Sequence, residues 1–215
     1  MIKIKTPDQI EMLAASGAIL ASVMKIITSE AREGVRFSDL DKKAEELMRK
    51  SGAEPAFLNY KPGGADKPYP ASICTSLNDV VVHGLPSNRK LKSGDILKLD
   101  FGVKYKGFYT DAAITIPIGE VSDEAKRLIR ATKLALEKAI KVARPGKTLG
   151  DIGFEIQSVA ESFGFKPIKG LTGHGVGFAV HEEPTIHNYG EKGKGRKLLP
   201  GMVLAIEPMF SAGSD

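Results

Sequence analysis

One cysteine and four histidines are all that this chain of 215 residues offers of the side chains that build disulfides, cysteine-rich zinc sites and histidine-rich metal centres. Cys74 alone makes no internal disulfide and no multi-cysteine zinc site. No apolar run approaches the length of a bilayer span, and the opening Met1-Ile-Lys-Ile-Lys-Thr-Pro lacks the apolar stretch of a signal peptide. A cytoplasmic chain without a membrane partner is the simplest expectation. Excess charge is small too, at +5. It suits contact with an acidic surface such as the ribosome's, but a generic basic surface is the favoured explanation, and nothing points to sequence-specific nucleic-acid binding. The length allows one domain with a full core, or two fused half-units.

What is present is a duplicated pattern. Ile96, Leu97, Leu99, Phe101 and Val103 form a β-prone run, Lys104-Tyr-Lys-Gly107 a turn, and residues 108–116 a returning strand. With the turn centred between Tyr105 and Lys106, Asp100 stands directly across from Asp111, with Cβ atoms roughly 4.5–5.5 Å apart. Two ionised carboxylates so placed among apolar residues share a proton or hold a cation. The segment from Leu91 to Asp100 returns as Leu198 to Glu207, matching Gly94 to Gly201, Leu97 to Leu204 and Asp100 to Glu207. Upstream, Val82-His83-Gly-Leu-Pro86 is echoed by Val180-His181-Glu-Glu-Pro184.

The helices repeat in the same order. Thr6 as N-cap and Pro7 at the first helical position start a helix that runs to Gly34, with Ile10, Leu13, Gly17, Leu20, Met24 and Ile27 on one face. A second helix runs from Ser38 to about Gly52. Ser122 caps a third, whose apolar stripe is Ala125, Leu128, Ile129, Leu136, Ala139 and Ile140; Thr148 caps a fourth, to about Gly164. Each half is two helices followed by strands, so an α+β class is expected for a single domain over 1–215, with half-units at about 1–120 and 121–215. The second half has a strand over 202–210 but no returning partner before the chain stops at Asp215. Its edge is expected to be covered by a strand missing from this sequence or supplied by another subunit.

The chemistry gathers at the repeat. His174 and His181 are seven residues apart in a glycine-rich segment, an odd spacing that puts two residues of one strand on opposite faces, so two different roles separated by a kink are expected. Asp100, Asp111, His174 and Glu207 make an oxygen-rich set with one imidazole, suited to Mn, Fe, Co or Zn as divalent ions. Bridging carboxylates allow two ions and metal-assisted hydrolysis.

His83, Asp100, Asp111, the segment Gly173-His-Gly-x-Gly-x-x-x-His-Glu-x-Pro184 and Ile206-Glu207-Pro208 resemble the type I methionine aminopeptidases, metallopeptidases of the pita-bread fold. The resemblance runs from the first helix to the last residue. It implies two pseudo-symmetric halves and removal of the initiator methionine from nascent chains with a small second residue, by attack of a metal-activated water on the first peptide bond. It further implies Asp100, Asp111, His174 and Glu207 as metal ligands, Asp111 bridging. Glu207 is also implied as a proton acceptor, and His83 and His181 as contacts to substrate and tetrahedral oxyanion. Tyr60, Tyr69 and Cys74 fall where the methionine pocket is expected, beside an insertion at 61–67, and Val180 takes a place often aromatic in the family. A further bridging glutamate of the family has no counterpart, leaving four protein ligands for up to two ions. Two other readings stay open: a relative that cleaves beside proline, and a non-catalytic or inactive shortened module that holds peptides. A monomer is expected.

Overall fold

The computed structural model describes residues 1–64 and 66–213, so that expectations falling on Ala65, within the 61–67 stretch, and on the chain end at Asp215 lie outside the described residues. The chain forms two compact units. One comprises Asp8–Val121 with Gly177–Val180, and the other Met1–Pro7, Ser122–Val176 and His181–Asp215.

In the first-half unit, helices α1 (Pro7–Glu30) and α2 (Phe37–Lys50) are followed by strands β1 (Glu54–Pro55), β2 (Ile73–Leu77), β3 (Ile96–Tyr105) and β4 (Phe108–Pro117). The long strand β3 pairs antiparallel with all three others. Period two divides its faces. Leu97, Leu99, Phe101 and Val103 are fully buried with Leu20, Val23 and Ile27 of α1 and Leu40, Ala44 and Met48 of α2. Lys98, Asp100 and Lys104 alternate with them and remain partly accessible.

Four expectations for this unit are corrected. The hairpin turn is the two-residue Lys106-Gly107, with φ of +48° and +83°, because a turn with both central residues left-handed matches the twist of the flanking strands. Tyr105 therefore pairs with Phe108, Asp100 with Ala113, and Asp111 with Gly102. The two carboxylates stay on one face as diagonal neighbours rather than directly opposed. On α1, Ile10 is exposed while Ser16 and Val23 are buried. Ser16 is accepted inside because its hydroxyl meets Thr110 Oγ1 of β4 at 2.9 Å. Also against expectation, α1 is long and apolar enough to cross a bilayer by length and composition, with a mean hydropathy of 1.7. Its apolar face is taken up by the core just described. Finally, α2 starts one residue before the expected Ser38, at Phe37; the Phe37 and Ser38 N–H groups donate to the carbonyls of Arg89 and Ser87.

The second-half unit adds α3 (Asp123–Val142), α4 (Leu149–Ser162), β5 (Lys166–Pro167), β6 (Thr172–Gly175), β7 (Glu182–His187), β8 (Leu204–Ala205) and β9 (Phe210–Ser211). Ser122 caps α3 by accepting from Ala125 N, and Thr148 and Asp151 form a reciprocal capping box on α4. Ala131, Ala135 and Ala139 of α3 are fully buried in a core with Ile152, Ile156 and Val159 of α4, while Ile140 is half exposed. The small alanines, and not the bulky members of the expected stripe, allow the close approach. The expected strand over 202–210 is two short strands: β8 pairs with β6 and β9 with β5. Between them lies Pro208, which has no N–H to give to a ladder.

The duplication is written into the hydrogen bonding of each half. The pairs Glu54↔Lys104 and Pro55↔Val103 recur as Lys166↔Ser211 and Pro167↔Phe210. The isolated bridge Arg36↔Lys90 recurs as Thr148↔Lys197. The bond from Gly34 N to Leu91 O recurs from Gly146 N to Leu198 O, and that from Leu91 N to Val35 O recurs from Leu198 N to Lys147 O. By the same register Ser76↔Lys98 corresponds to His174↔Ala205, so the imidazole of one half stands where the other half has a buried serine.

Candidate active site

In the first-half unit Asp100 lies between Cys74 of β2 and Ala113 of β4. The Cys74 thiol hydrogen-bonds with the Asp100 carboxylate, and burial, with the charge of Asp100 next and that of Asp111 also contributing, pushes it up to about 12. Cys74 is thus a protonated donor at neutral pH and no nucleophile. Tyr69 shares this environment: burial and then Cys74 raise its pKa, and its hydroxyl donates to the carbonyls of Ile73 and Gly84 at 3.2 and 3.0 Å. Asp100, Asp111, Cys74 and Tyr69 therefore form one electrostatically linked group.

His83 is exposed and held in the left-handed region at φ +57°. The next residue sets it there. Gly84 donates to Ser76 Oγ and accepts from Thr75 N, and a Cβ on it would lie 2.4 Å from the Thr75 carbonyl oxygen. Close backbone contact with β2 thus fixes the segment that carries the imidazole.

Cys74 also packs with Ala56, Phe57 and Val180, flanked by Tyr60, Tyr69 and Tyr109. Beside this cluster is a cavity of about 250 Å³ whose lining includes Ala56, Tyr60, Tyr109 and Val180, but neither Cys74 nor Tyr69. The sequence reading missed Tyr109. It stands two residues before Asp111 on β4, a spacing that shares a face and could have found it.

In the second-half unit, His174 and His181 do not share a strand. His174 is in β6 and His181 immediately precedes β7, with an irregular register between Gly173 and Gly175, and the two rings meet edge to face with centroids 4.3 Å apart. His181 is exposed. His187 is exposed beside Tyr189. His174 Nδ1 lies 2.9 Å from the Gly175 carbonyl oxygen. A carbonyl only accepts, so Nδ1 carries the proton, and in the neutral ring Nε2 presents a lone pair. That Nε2 is 3.1 Å from Glu207 Oε1, an oxygen that is buried and has no hydrogen-bond partner.

Two acceptors facing each other at this distance call for a cation, and the residues fit one. Among the described residues no three or more His, Cys, Asp or Glu side chains are already gathered as a metal cluster. The structure brings Asp100 and Asp111 into one group and His174, His181 and Glu207 into another.

These halves, each two helices followed by a sheet that carries acidic groups, define a metallopeptidase of the pita-bread fold. The chain belongs to metallopeptidase family M24, whose pattern matches residues 11–214. It is 44% identical over 215 residues to a methionine aminopeptidase of Clostridium acetobutylicum, covering 100% of this chain and 84% of that protein. The crystal structure of methionine aminopeptidase from Rickettsia prowazekii superposes with a TM-score of 0.94 at 40% identity, covering 100% of this chain and 84% of that one. A prolidase from Pyrococcus horikoshii gives 0.78 at 26% identity, with 95% of this chain but 55% of the other covered.

Proposed function

We infer that the chain is a metal-dependent methionine aminopeptidase that hydrolyses the first peptide bond of proteins beginning with methionine. Likeness to methionine aminopeptidases across the whole chain supports the substrate, and the sparser match to a prolidase disfavours cleavage beside proline. The observation that carries the metal chemistry is the orphaned Glu207 Oε1 against the Nε2 lone pair of His174.

The proposed ligands are Asp100, Asp111, His174 and Glu207. A divalent ion held by them supplies Lewis acidity, polarising the scissile carbonyl and lowering the pKa of water. Mn²⁺, Fe²⁺, Co²⁺ and Zn²⁺ all suit this donor set, with up to two ions bound. The remaining work falls to the chain itself. Glu207 accepts a proton from the attacking water; His181 and His83 donate hydrogen bonds to the substrate amide and the developing oxyanion. Cys74, as a protonated thiol, orients Asp100. Tyr60, which lines the cavity, takes the methionine side chain with Tyr69 and Cys74 packed behind it, and Val180 in their cluster leaves more room than an aromatic residue there.

The protein acts on nascent chain ends in the cytoplasm as a monomer, and its excess of positive charge suits work near the ribosome surface. The direct test of specificity compares Met-Ala-Ser with Ala-Pro-Ser in the presence of Mn²⁺. Release of methionine from the first and no cleavage of the second is expected; the reverse pattern would replace this reading with the proline-directed one.

A further inference from the structure

The second-half unit includes a segment from the start of the chain, Met1–Pro7. It lies against Gly201: Lys5 N donates to the Gly201 carbonyl at 2.8 Å, and a Cβ on Gly201, which has a φ of +86°, would lie 2.6 Å from Ile4 Cγ2. The glycine thus leaves the space that the strap fills. Lys5 then turns inward. Its ammonium lies 2.6 Å from Glu182 Oε2, with the two side chains only 1% and 4% exposed.

A lysine is seldom buried so completely unless paired, and here the partner adjoins His181 in sequence. The same stretch is held on its backbone side, where Gly175 pairs with Glu182 and a Cβ on Gly175 would lie 2.2 Å from the Glu183 carbonyl oxygen. The segment that presents His181 is therefore pinned from two directions. The β6 contact is backbone to backbone and independent of charge. The Lys5 contact is an ion pair, so loss of the ammonium leaves the carboxylate buried without that counter-charge, which favours its turning toward water. Such a turn displaces the neighbouring His181 ring from its place against His174.

We propose that Lys5 is a positioning residue for His181, acting through its buried ion pair with Glu182, so that the N-terminal strap is a working part of the aminopeptidase site. The catalytic meaning rests on the role assigned to His181 above. The geometric claim does not.

The test compares K5M, which takes the Lys5 ammonium from Glu182, with K5M/E182M, which removes both charges, and with the milder E182Q, which keeps an acceptor for the ammonium. Each is read in two ways: the His181 Cε1–H proton resonance, assigned by its loss in H181Q, and methionine release from Met-Ala-Ser with Mn²⁺ content measured alongside. K5M is expected to shift or broaden the His181 resonance while leaving that of His187, at the far end of β7, in place. It should also lower kcat about tenfold or more with KM and bound Mn²⁺ within twofold. K5M/E182M should restore the resonance and return kcat to within about threefold of the parent, and E182Q should stay within the same margin. A His181 resonance unmoved in folded K5M, with kcat within twofold, overturns the proposal. If K5M does not fold, a shifted His181 resonance in folded K5M/E182M overturns it instead, because both charges are then gone. Should the parent release no methionine, the functional reading fails while the resonances still decide the positioning claim.

Discussion

Replacing Glu207 by glutamine should make the metal-free protein more stable and the metal-loaded protein less so. In the absence of a cation, Glu207 Oε1 is buried with no hydrogen-bond partner and faces the lone pair of His174 Nε2 at 3.1 Å. A buried unsatisfied acceptor costs about 1–3 kcal/mol. The Glu207 side chain is 31% exposed, which favours the low end of that range. Glutamine can turn its NH₂ toward Nε2 and form a neutral hydrogen bond, worth about 0.5–1.5 kcal/mol. The sum is a gain of about 1.5–2.5 kcal/mol for metal-free E207Q, or a rise of about 3–10 °C in Tm for a chain of this size. Metal has the opposite effect. At Mn²⁺ a hundredfold above its dissociation constant the parent gains about 2.7 kcal/mol, whereas E207Q, without the carboxylate, gains little. Thermal unfolding of chelator-treated parent and variant at pH 7.5, with and without Mn²⁺, should therefore give curves whose order reverses on adding metal. A metal-free E207Q that melts below the parent would refute the reasoning. His174 would then be protonated, and its contact with Glu207 an ordinary ion pair with no need of a cation.

Two further substitutions test the surroundings. Burial lowers Lys98 from 10.5 to about 8. The unfolded chain therefore holds a proton that the folded protein releases between those values, so that stability rises with pH across the window. K98M should raise Tm at pH 7 by about 2–4 °C, the effect of about 1 kcal/mol after allowing for the partial exposure of Lys98, and this advantage should fade as pH approaches 10.5. An advantage independent of pH would mean that packing, not charge, is responsible. Thr148→Ala removes the hydroxyl that accepts from Asp151 N in the capping box of α4. It should cost about 1 kcal/mol, lowering Tm without moving the midpoint of Mn²⁺ binding; a shifted midpoint would tie α4 to the metal site.

Much of the framework around the candidate site was legible because duplication is a property of sequence that survives folding. Leu91 and Leu198 align by residue type, and their backbones make equivalent bonds to Gly34 with Val35 and to Gly146 with Lys147. Helix starts at Pro7, Ser122 and Thr148 were readable because proline geometry and side-chain capping are local. The start of α2 was placed one residue late, at Ser38, because its first N–H groups are met by the backbone of residues 87–89, contacts invisible to a local pattern. The placement of Asp100 against Asp111 failed by one pair of residues, because alternation fixes the face of a strand but only the turn fixes its register. On α3, hydrophobicity pointed to Ile140, whereas packing chose Ala131 and Ala135 for their small size. The ion pair of Lys5 with Glu182 left no trace in periodicity, since its partners are far apart in sequence.

The central claim is that Asp100, Asp111, His174 and Glu207 hold the ion on which methionine release depends. It is tested most directly by stripping the protein of metal, restoring Mn²⁺, and measuring bound ion and free methionine from Met-Ala-Ser for the parent and for D111A side by side. Metal-dependent release by the parent, with both bound Mn²⁺ and release lost in a folded D111A, is the predicted result. Mn²⁺ bound equally by D111A, or release by the parent that persists without metal, would contradict it.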